Sequence, residues 1–509
     1  VVAILTESNC IELKNITKTF GSVVANNNVN LTIQNGEIHA LLGENGSGKT
    51  TLMNMLSGIY SPNSGEIKIL GEVVNGSSPR EFINMGIGMI HQHFKLVDVM
   101  SAKENIVLGQ PGSIYLNARK MSREISELSE KFELNVNPDK KIYQMSVSEK
   151  QNVEILKVLF RGAKVLILDE PTAVLTPQET KKLFKILKNM KENGCSVIII
   201  THKLNEVMEI SDRVTVLRKG ESIATLNTNE TTAKELTELM VGRPIDLSIE
   251  RKQVNKGKKL LKINQLTVLN EEKIKALNNV SFEVFEGEIL GVAGIAGSGQ
   301  KELCEAITGM QKVKSGHMTF KEENLIGKSP RDIFKMGISM SFIPEDRLGM
   351  GLVASMNMID NVILKSYQKQ KGFYLNRKPA RMLSEKLIDG LEIKTPGVHH
   401  PVRLLSGGNV QKVLLGREIE SNPELLITAY PVRGLDINAS YKIYDLLNEQ
   451  KEKGVGILFV GEDLDVLLEI SDRIMVLCEG RVVGIVEAKE ANKEMIGYMM
   501  TGGDMHESI

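Results

Sequence analysis

Short apolar runs separated by amphipathic stretches set the rhythm of the chain. Glu37-Ile38-His39-Ala40-Leu41-Leu42, Lys164-Val165-Leu166-Ile167-Leu168 and Ser196-Val197-Ile198-Ile199-Ile200 are short and nearly continuously apolar, which predicts buried core strands. Thr51-Leu52-Met53-Asn54-Met55-Leu56 predicts a helix directly after the first of them. Alternation of this kind implies α/β layers. From about Ala102 to Lys141 the pattern turns more helical and polar, predicting a separate helical subdomain inserted ahead of the later strands, its Met and Leu residues forming local core.

The pattern is written twice. Gly36-Glu37-Ile38 leads to Gly43, and Gly287-Glu288-Ile289 leads to Gly294. Ser211-Asp212-Arg213-Val214-Thr215-Val216-Leu217 returns as Ser471-Asp472-Arg473-Ile474-Met475-Val476-Leu477. We therefore expect one domain over 1–245, a linker over 246–259 and a second domain over 260–509. The charge run Arg251, Lys252, Lys256, Lys258 and Lys259 is expected to be a solvated part of that linker.

Bulk properties narrow the class. A chain of 509 residues is too long for one ordinary core. Its 63 basic and 63 acidic residues leave no basic footprint for nucleic acid, so no nucleic-acid partner is expected. An apolar content of 42% suits a soluble globular protein, and no apolar stretch is long enough to span a bilayer. Val1 to Leu5 has no basic start and ends at Thr6-Glu7, so it does not read as a signal peptide. Cys10, Cys195, Cys304 and Cys478 are scattered without a C-x-x-C pair and read as reduced structural residues. His91 and His93 alternate as metal ligands on a strand can, but no third ligand lies near them.

Candidate chemistry centres on Gly43-Glu44-Asn45-Gly46-Ser47-Gly48-Lys49-Thr50, which matches G-x-x-x-x-G-K-[ST] and sits between a predicted strand and a predicted helix. Its glycines let backbone N–H groups from Gly43 through Thr51 curl around phosphate oxygens at a helix N-terminus. Lys49 pairs with the outer phosphates in this reading, and the Thr50 hydroxyl ligates Mg²⁺. Asp169 and Glu170 end a strand as two carboxylates, the first placed to hold Mg²⁺ and the second to orient and deprotonate water. His202 follows the next strand and could contact the γ-phosphate; Gln92 could reach both metal and attacking water. Phe20 offers a flat face for adenine, with a core aromatic as the equal alternative.

The order of these parts resembles the ATP-binding subunits of ATP-binding cassette (ABC) transporters. Copy one shows the phosphate loop, Gln92, a signature-like Met145-Ser146-Val147-Ser148-Glu149, Asp169-Glu170 and His202; copy two carries Leu405-Ser406-Gly407-Gly408-Asn409, similar to the LSGGQ signature. The fused double cassette resembles the importer branch for simple sugars and nucleosides, as do Ile343-Pro344-Glu345-Asp346-Arg347, Gly461-Glu462-Asp463-Leu464-Asp465 and Pro431-Val432-Arg433-Gly434-Leu435-Asp436. Within that branch His91-Gln92-His93-Phe94 and Ala429 look most like nucleoside importers. The resemblance implies an α/β fold of two tandem P-loop cassettes, each with a RecA-like core and a helical insertion. It implies ATP and Mg²⁺ as ligands, two separate integral-membrane permease subunits, and through them an extracytoplasmic solute-binding protein. It also implies a peripheral position on the cytoplasmic face of the cell membrane.

In this family two cassettes pair head to tail, so the resemblance sorts the residues into two composite sites. One joins Lys49, Thr50, Gln92, Asp169, Glu170 and His202 to Ser406, Gly407, Gly408 and Asp436, and every part is present. The other has Gln300 and Lys301 in place of Lys and Ser/Thr, Ala429 and Tyr430 in place of the carboxylates, Glu462 in place of His202, Ser148 and Glu149 in the signature, and Thr176 in place of Asp436. Lys301 is turned about 100° around the helix from the lysine position and is not expected to substitute for it. Asn152 and Val432 also depart from the family pattern. The rival class is a soluble twin-cassette protein acting on ribosomes or DNA. A degenerate second site, a short linker and the lack of a heptad run argue against it.

Overall fold

The computed structural model describes residues 9–74, 78–92, 94–109, 118–244, 249–270, 272–342, 351–367, 370 and 374–503. Ile343–Arg347 and His93, which the resemblance drew on, lie outside them. The chain divides into two compact units, Val1–Asp246 and Leu247–Ile509.

In the first unit, the strands Ile38–Leu42, Val165–Asp169 and Ser196–Thr201 lie where the apolar runs predict them. They belong to a six-stranded sheet ordered Glu221–Asn227, Arg213–Arg218, Ile38–Leu42, Ser196–Thr201, Val165–Asp169, Ile87–Ile90. All neighbours are parallel except Glu221–Asn227, which is antiparallel to Arg213–Arg218. Ile38 to Leu42 and Ser196 to Thr201 are buried at every position, which explains their lack of alternation. A second sheet, fully antiparallel, runs Val23–Gln34, Asn9–Phe20, Ser64–Ile69, Glu72–Val73. Ile11, Leu13, Val29, Leu31, Leu41, Leu52 and Ile167 form the apolar layer between the two sheets and the helix Lys49–Leu56.

Because the central strands run parallel, their carboxyl ends share one edge. Leu42 pairs with Thr201, and Asp169 with Ile200. The loops after these strands therefore open on the same side, where ligands sit in open α/β sheets.

The helical insertion comprises Ala102–Val107, Ala118–Lys131 and Val147–Phe160, between Ile87–Ile90 and Val165–Asp169. It extends beyond the stretch expected from the sequence because Val147–Phe160 packs on both other helices. One apolar cluster runs from Ile106, Ile125 and Leu134 through Val153 and Leu156 to Leu166 and Leu168 in the sheet.

The second unit repeats the topology: Ile338–Phe342, Leu425–Ala429, Gly456–Val460, Ile289–Ala293, Arg473–Cys478, Arg481–Glu487 in one sheet, and Lys275–Phe285, Lys259–Leu269, Val313–Phe320, Glu323–Asn324 in the other. Its helices Met358–Ser366, Lys378–Gly390 and Gly407–Ile419 have an apolar cluster of their own.

Of the charged stretch read as a solvated linker, Lys256, Lys258 and Lys259 are exposed, whereas Arg251 packs on the second unit. Arg251 donates to the carbonyl oxygens of Leu468 and, at 3.2 Å, Glu469, at the end of helix Leu464–Ile470. Asn448 Nδ2 donates to the Glu250 carbonyl oxygen at 3.2 Å, and Lys256 lies 4.0 Å from the Phe285 ring centroid and 3.4 Å from Glu288. Arg251 finds partners here because helix C-termini leave carbonyls unsatisfied.

Cys10, Cys195 and Cys304 are buried and unpaired; burial pushes the Cys195 and Cys304 thiols up to about 12. Among the described residues no helix is long and apolar enough to cross a membrane.

Candidate functional site

The loop after Ile38–Leu42 closes by backbone geometry that only glycine adopts freely. Gly46 and Gly48 have φ of 80° and 96°, and Gly48 is the left-handed N-cap of helix Lys49–Leu56. A Cβ on Gly48 would lie 2.4 Å from the Ala25 carbonyl oxygen. The strand Val23–Gln34 thus backs the loop, and buried Asn26 donates to the Gly48 carbonyl oxygen at 3.3 Å. Asn26 was not singled out by motif. Strand alternation does not announce it either: Asn26 stands three residues before Val29, off the period of Val29, Leu31 and Ile33, and is buried because the pairing shifts register between Val29 and Asn26.

Inside the loop, Lys49 Nζ donates to the carbonyl oxygens of Gly43 at 2.6 Å and Glu44 at 2.9 Å. The ammonium is 6% exposed, and burial pushes its pKa down against the pull of Glu170, Asp169 and Glu44. Ser47 Oγ is buried with no hydrogen-bond partner. Among the described residues this buried cation has no carboxylate within ion-pair distance and the hydroxyl no partner; beside a helix N-terminus, the pair fits a polyphosphate. Asn45 and Thr50 are exposed at the rim, and Thr51 is half-buried.

Asp169 ends its strand half-buried; burial and the neighbouring Glu170 charge raise its pKa to about 6, with Lys49 opposing. The next residue, Glu170, has a left-handed φ of 47° and donates its N–H to the Ile200 carbonyl oxygen at 2.9 Å. That turn brings Glu170 Oε1 to 2.9 Å from His202 Nδ1 and Oε2 to 3.3 Å from Gln92 Nε2. A carboxylate only accepts, so Nδ1 carries the proton. The His202 hydrogen bond holds the Glu170 carboxyl below its usual range, against partial burial. The structure thus gathers Gln92, Glu170 and His202 from three strand ends, with Lys49 and Asp169 close enough to shift the carboxyl groups.

Among the described residues no group of three His, Cys, Asp or Glu side chains could hold a metal ion by itself. Thr50, Gln92 and Asp169 fit Mg²⁺, which commonly leans on one or two carboxylates, substrate phosphates and water.

Phe20 is 43% exposed, so the core-aromatic alternative does not hold.

The second unit keeps the frame and loses the chemistry. Gly297 and Gly299 have φ of 88° and 100°, yet Gln300 Nε2 takes the place of the ammonium, donating to the Ile295 carbonyl oxygen at 3.1 Å. Lys301 points along the helix surface, 3.8 Å from Glu305. Tyr430 repeats the left-handed turn of Glu170, with φ 55° and its N–H on the Val460 carbonyl oxygen at 2.8 Å. Burial and the Glu462 charge push its hydroxyl up to about 12, unfit as a base near neutrality.

The signature and switch residues are helix caps. Ser406 Oγ accepts from Asn409 Nδ2 at 2.8 Å at the start of Gly407–Ile419, where Gly407 and Gly408 open the first turn. Asp436 Oδ1 accepts from the Ala439 N–H at 2.8 Å, and Thr176 caps the matching helix of the first unit. Glu149, in the first unit's signature, is engaged in a capping box with Ser146 and an ion pair with Lys140 at 2.6 Å.

The family model described as ABC transporter matches residues 26–173 and again 277–431. The chain is 42% identical to the nucleoside import ATP-binding protein NupA of Lactococcus lactis subsp. cremoris (strain MG1363), over 98% of this chain and 99% of that one. It is 43% identical to the guanosine import ATP-binding protein NupO of Bacillus subtilis (strain 168), over 98% of each. A solved complex of the archaeal ribosomal stalk protein aP1 and the ribosome recycling factor aABCE1 matches with a TM-score of 0.61 at 18% identity, covering 93% of this chain and 90% of that one, and shares the fold.

Proposed function

Because the chain belongs to the ABC transporter family, we propose that it is the ATP-hydrolysing subunit of an importer, driving uptake of a small hydrophilic solute, a nucleoside before a simple sugar, through two separate permease subunits. It works from the cytoplasmic face of the membrane, with an extracytoplasmic binding protein delivering the solute. The observation that carries this reading is the Glu170 carboxylate held between His202 and Gln92 beside the buried Lys49. Similarity along the whole chain to nucleoside and guanosine import proteins supports the solute class. The likeness to a ribosome recycling factor, at 18% identity, bears on fold alone.

Hydrolysis follows from the residues. Glu170, kept ionised by its hydrogen bonds, orients a water molecule and takes its proton. His202 fixes the carboxylate through its Nδ1–H. Lys49 and the backbone N–H groups of the loop stabilise negative charge on the outer phosphates. Mg²⁺, held by Thr50, Asp169 and Gln92, would neutralise phosphate charge when bound. Phe20 would take the adenine. Ser406, Gly407, Gly408 and Asp436 match the family pattern for residues that contact ATP; Ser406→Ala lowering ATPase activity as severely as loss of Glu170, with Ser148→Ala nearly silent, tests that part. The second unit, lacking a base, would not hydrolyse.

Uptake assays on the chain reconstituted with its permease and binding protein test the whole. Labelled purine nucleosides should enter in preference to pentoses. Pentose uptake alone would reassign the solute, and failure to co-purify with any membrane protein would sink the transport reading.

A further inference from the structure

Beside the first unit's phosphate loop stands an aromatic cluster that no motif includes. Phe20 ends its strand and pairs with Val23; two residues on, the Ala25 carbonyl abuts Gly48. Tyr60 follows the helix that begins at Lys49, its backbone N–H bonded to the Asn54 carbonyl oxygen at 3.2 Å. The two ring centroids are 5.3 Å apart with planes at 72°, an edge-to-face pair. Lys18 Nζ lies 5.3 Å from the Phe20 centroid and 5.8 Å from that of Tyr60, inside the cation–π reach of about 6 Å. The same ammonium donates to the Ser61 carbonyl oxygen at 2.7 Å. One cation thus ties the end of the strand to the segment after the phosphate-loop helix. Both residues nevertheless stay open to water, Phe20 at 43% and Tyr60 at 38% exposed.

In the second unit the matching positions are Val268, Asn270 and Gln311, with Gln311 N–H on the Glu305 carbonyl as Tyr60 N–H is on that of Asn54. Gln311 Nε2 donates to the Leu269 carbonyl oxygen at 2.7 Å. The fold there is closed by a side-chain amide, without rings or cation. The cluster is therefore not needed to join these two segments, and it accompanies the phosphate loop that keeps its lysine.

We infer that Tyr60 and Lys18 are positioning residues for the nucleobase of the nucleotide held at Lys49, fixing the Phe20 ring so that a purine stacks on its open surface; this rests on the reading of that loop as the ATP site. An exposed phenylalanine free to turn loses that freedom on binding, whereas a ring already held by an edge-on tyrosine and an ammonium does not. The effect falls on affinity for the base and leaves the phosphate contacts untouched.

Affinities of the full chain for ATP and for inorganic tripolyphosphate, which carries the phosphates without a base, separate the two contributions. In Tyr60→Leu and Lys18→Leu, ATP affinity should fall by about tenfold, the lower part of the range for a base–aromatic stack. Tripolyphosphate affinity should stay unchanged, and Tyr60→Phe and Lys18→Arg should restore ATP binding. The KM for ATP should rise with kcat unaltered. Equal losses for both ligands would make the cluster a structural prop and overturn the inference, as would unaltered ATP affinity in both leucine variants. If the wild-type chain bound tripolyphosphate but gained nothing from the base, this inference would fall while the phosphate site stood. If it bound neither, both readings would fall.

Discussion

Glu170 Oε1 lies 2.9 Å from His202 Nδ1, and in the second unit the same two places hold Tyr430 and Glu462, with Glu462 turned to Arg433 at 3.5 Å. The left-handed turn that aims the first residue is kept in both units, so the difference between them lies in side chains rather than backbone. Glu170→Gln keeps the hydrogen-bonding shape and removes the base. Steady-state ATPase activity should fall by about 10² to 10⁴, while ATP binding by equilibrium dialysis stays close to wild type. Retention of most activity would place the base elsewhere.

Restoring one residue should not restore the second unit. Gln300→Lys would return an ammonium to loop carbonyls already arranged to receive it. Ala429 still offers no oxygen for a metal, and Tyr430 still has a hydroxyl pushed up to about 12. In a Glu170→Gln background, Gln300→Lys should leave ATP turnover at background; a rise in phosphate release would contradict the assignment.

The two loop glycines should respond differently to a methyl group. At Gly48 an added Cβ meets the Ala25 carbonyl oxygen at 2.4 Å, and φ is 96°. At Gly46, with φ 80°, nothing lies within 4 Å. Gly46→Ala should cost about 1 to 2 kcal/mol from backbone conformation alone. Gly48→Ala adds a clash with fixed backbone and should cost more and weaken ATP binding. Urea unfolding monitored on the first unit gives the comparison; equal costs would mean the strand Val23–Gln34 yields freely.

A buried charge cluster should make the second unit acid-sensitive. Glu418, fully buried, accepts from Ser339 Oγ at 2.5 Å and pairs with Lys365 at 2.9 Å and Arg417 at 2.7 Å. Burial raises its pKa, but Arg417, Lys365 and Ser339 outweigh this and hold it below the usual carboxylate range. A depressed folded-state pKa contributes stability that is present above the unfolded value of about 4.3 and is lost as pH falls through the folded value. Glu418→Gln should cost about 3 kcal/mol at neutral pH, because buried Arg417 and half-buried Lys365 lose their anion. The gap between variant and wild type should narrow below about pH 4. A gap independent of pH in denaturant titrations would rule the charge out as the cause.

The first unit fills the same place with shape alone. A Cβ on Gly88 would lie 1.9 Å from Val158 Cγ1, so the valine occupies the room that the glycine leaves. Nothing in the local pattern of either stretch announces that Gly88 answers Val158, or that Ser339 answers Glu418. Likewise Arg251 sits in a charge run that reads as solvated, because charge patterning reports composition and not what lies opposite. The carbonyls of Leu468 and Glu469 that receive Arg251 lie more than two hundred residues away along the chain.

By itself the sequence determined the two copies, the buried parallel strands, the phosphate loop and which copy retains Lys49, Asp169, Glu170 and His202. These are legible because strand burial, glycine at turns and a lysine at a helix start act over a few residues. Tertiary structure alone decided that Glu170 turns on a left-handed backbone to meet His202 and Gln92, that Asn26 supports Gly48, and that Lys18 and Tyr60 flank Phe20. Those relations join segments tens of residues apart: the parallel sheet makes the first by ending its strands on one edge, and the antiparallel sheet set against the phosphate-loop helix makes the others.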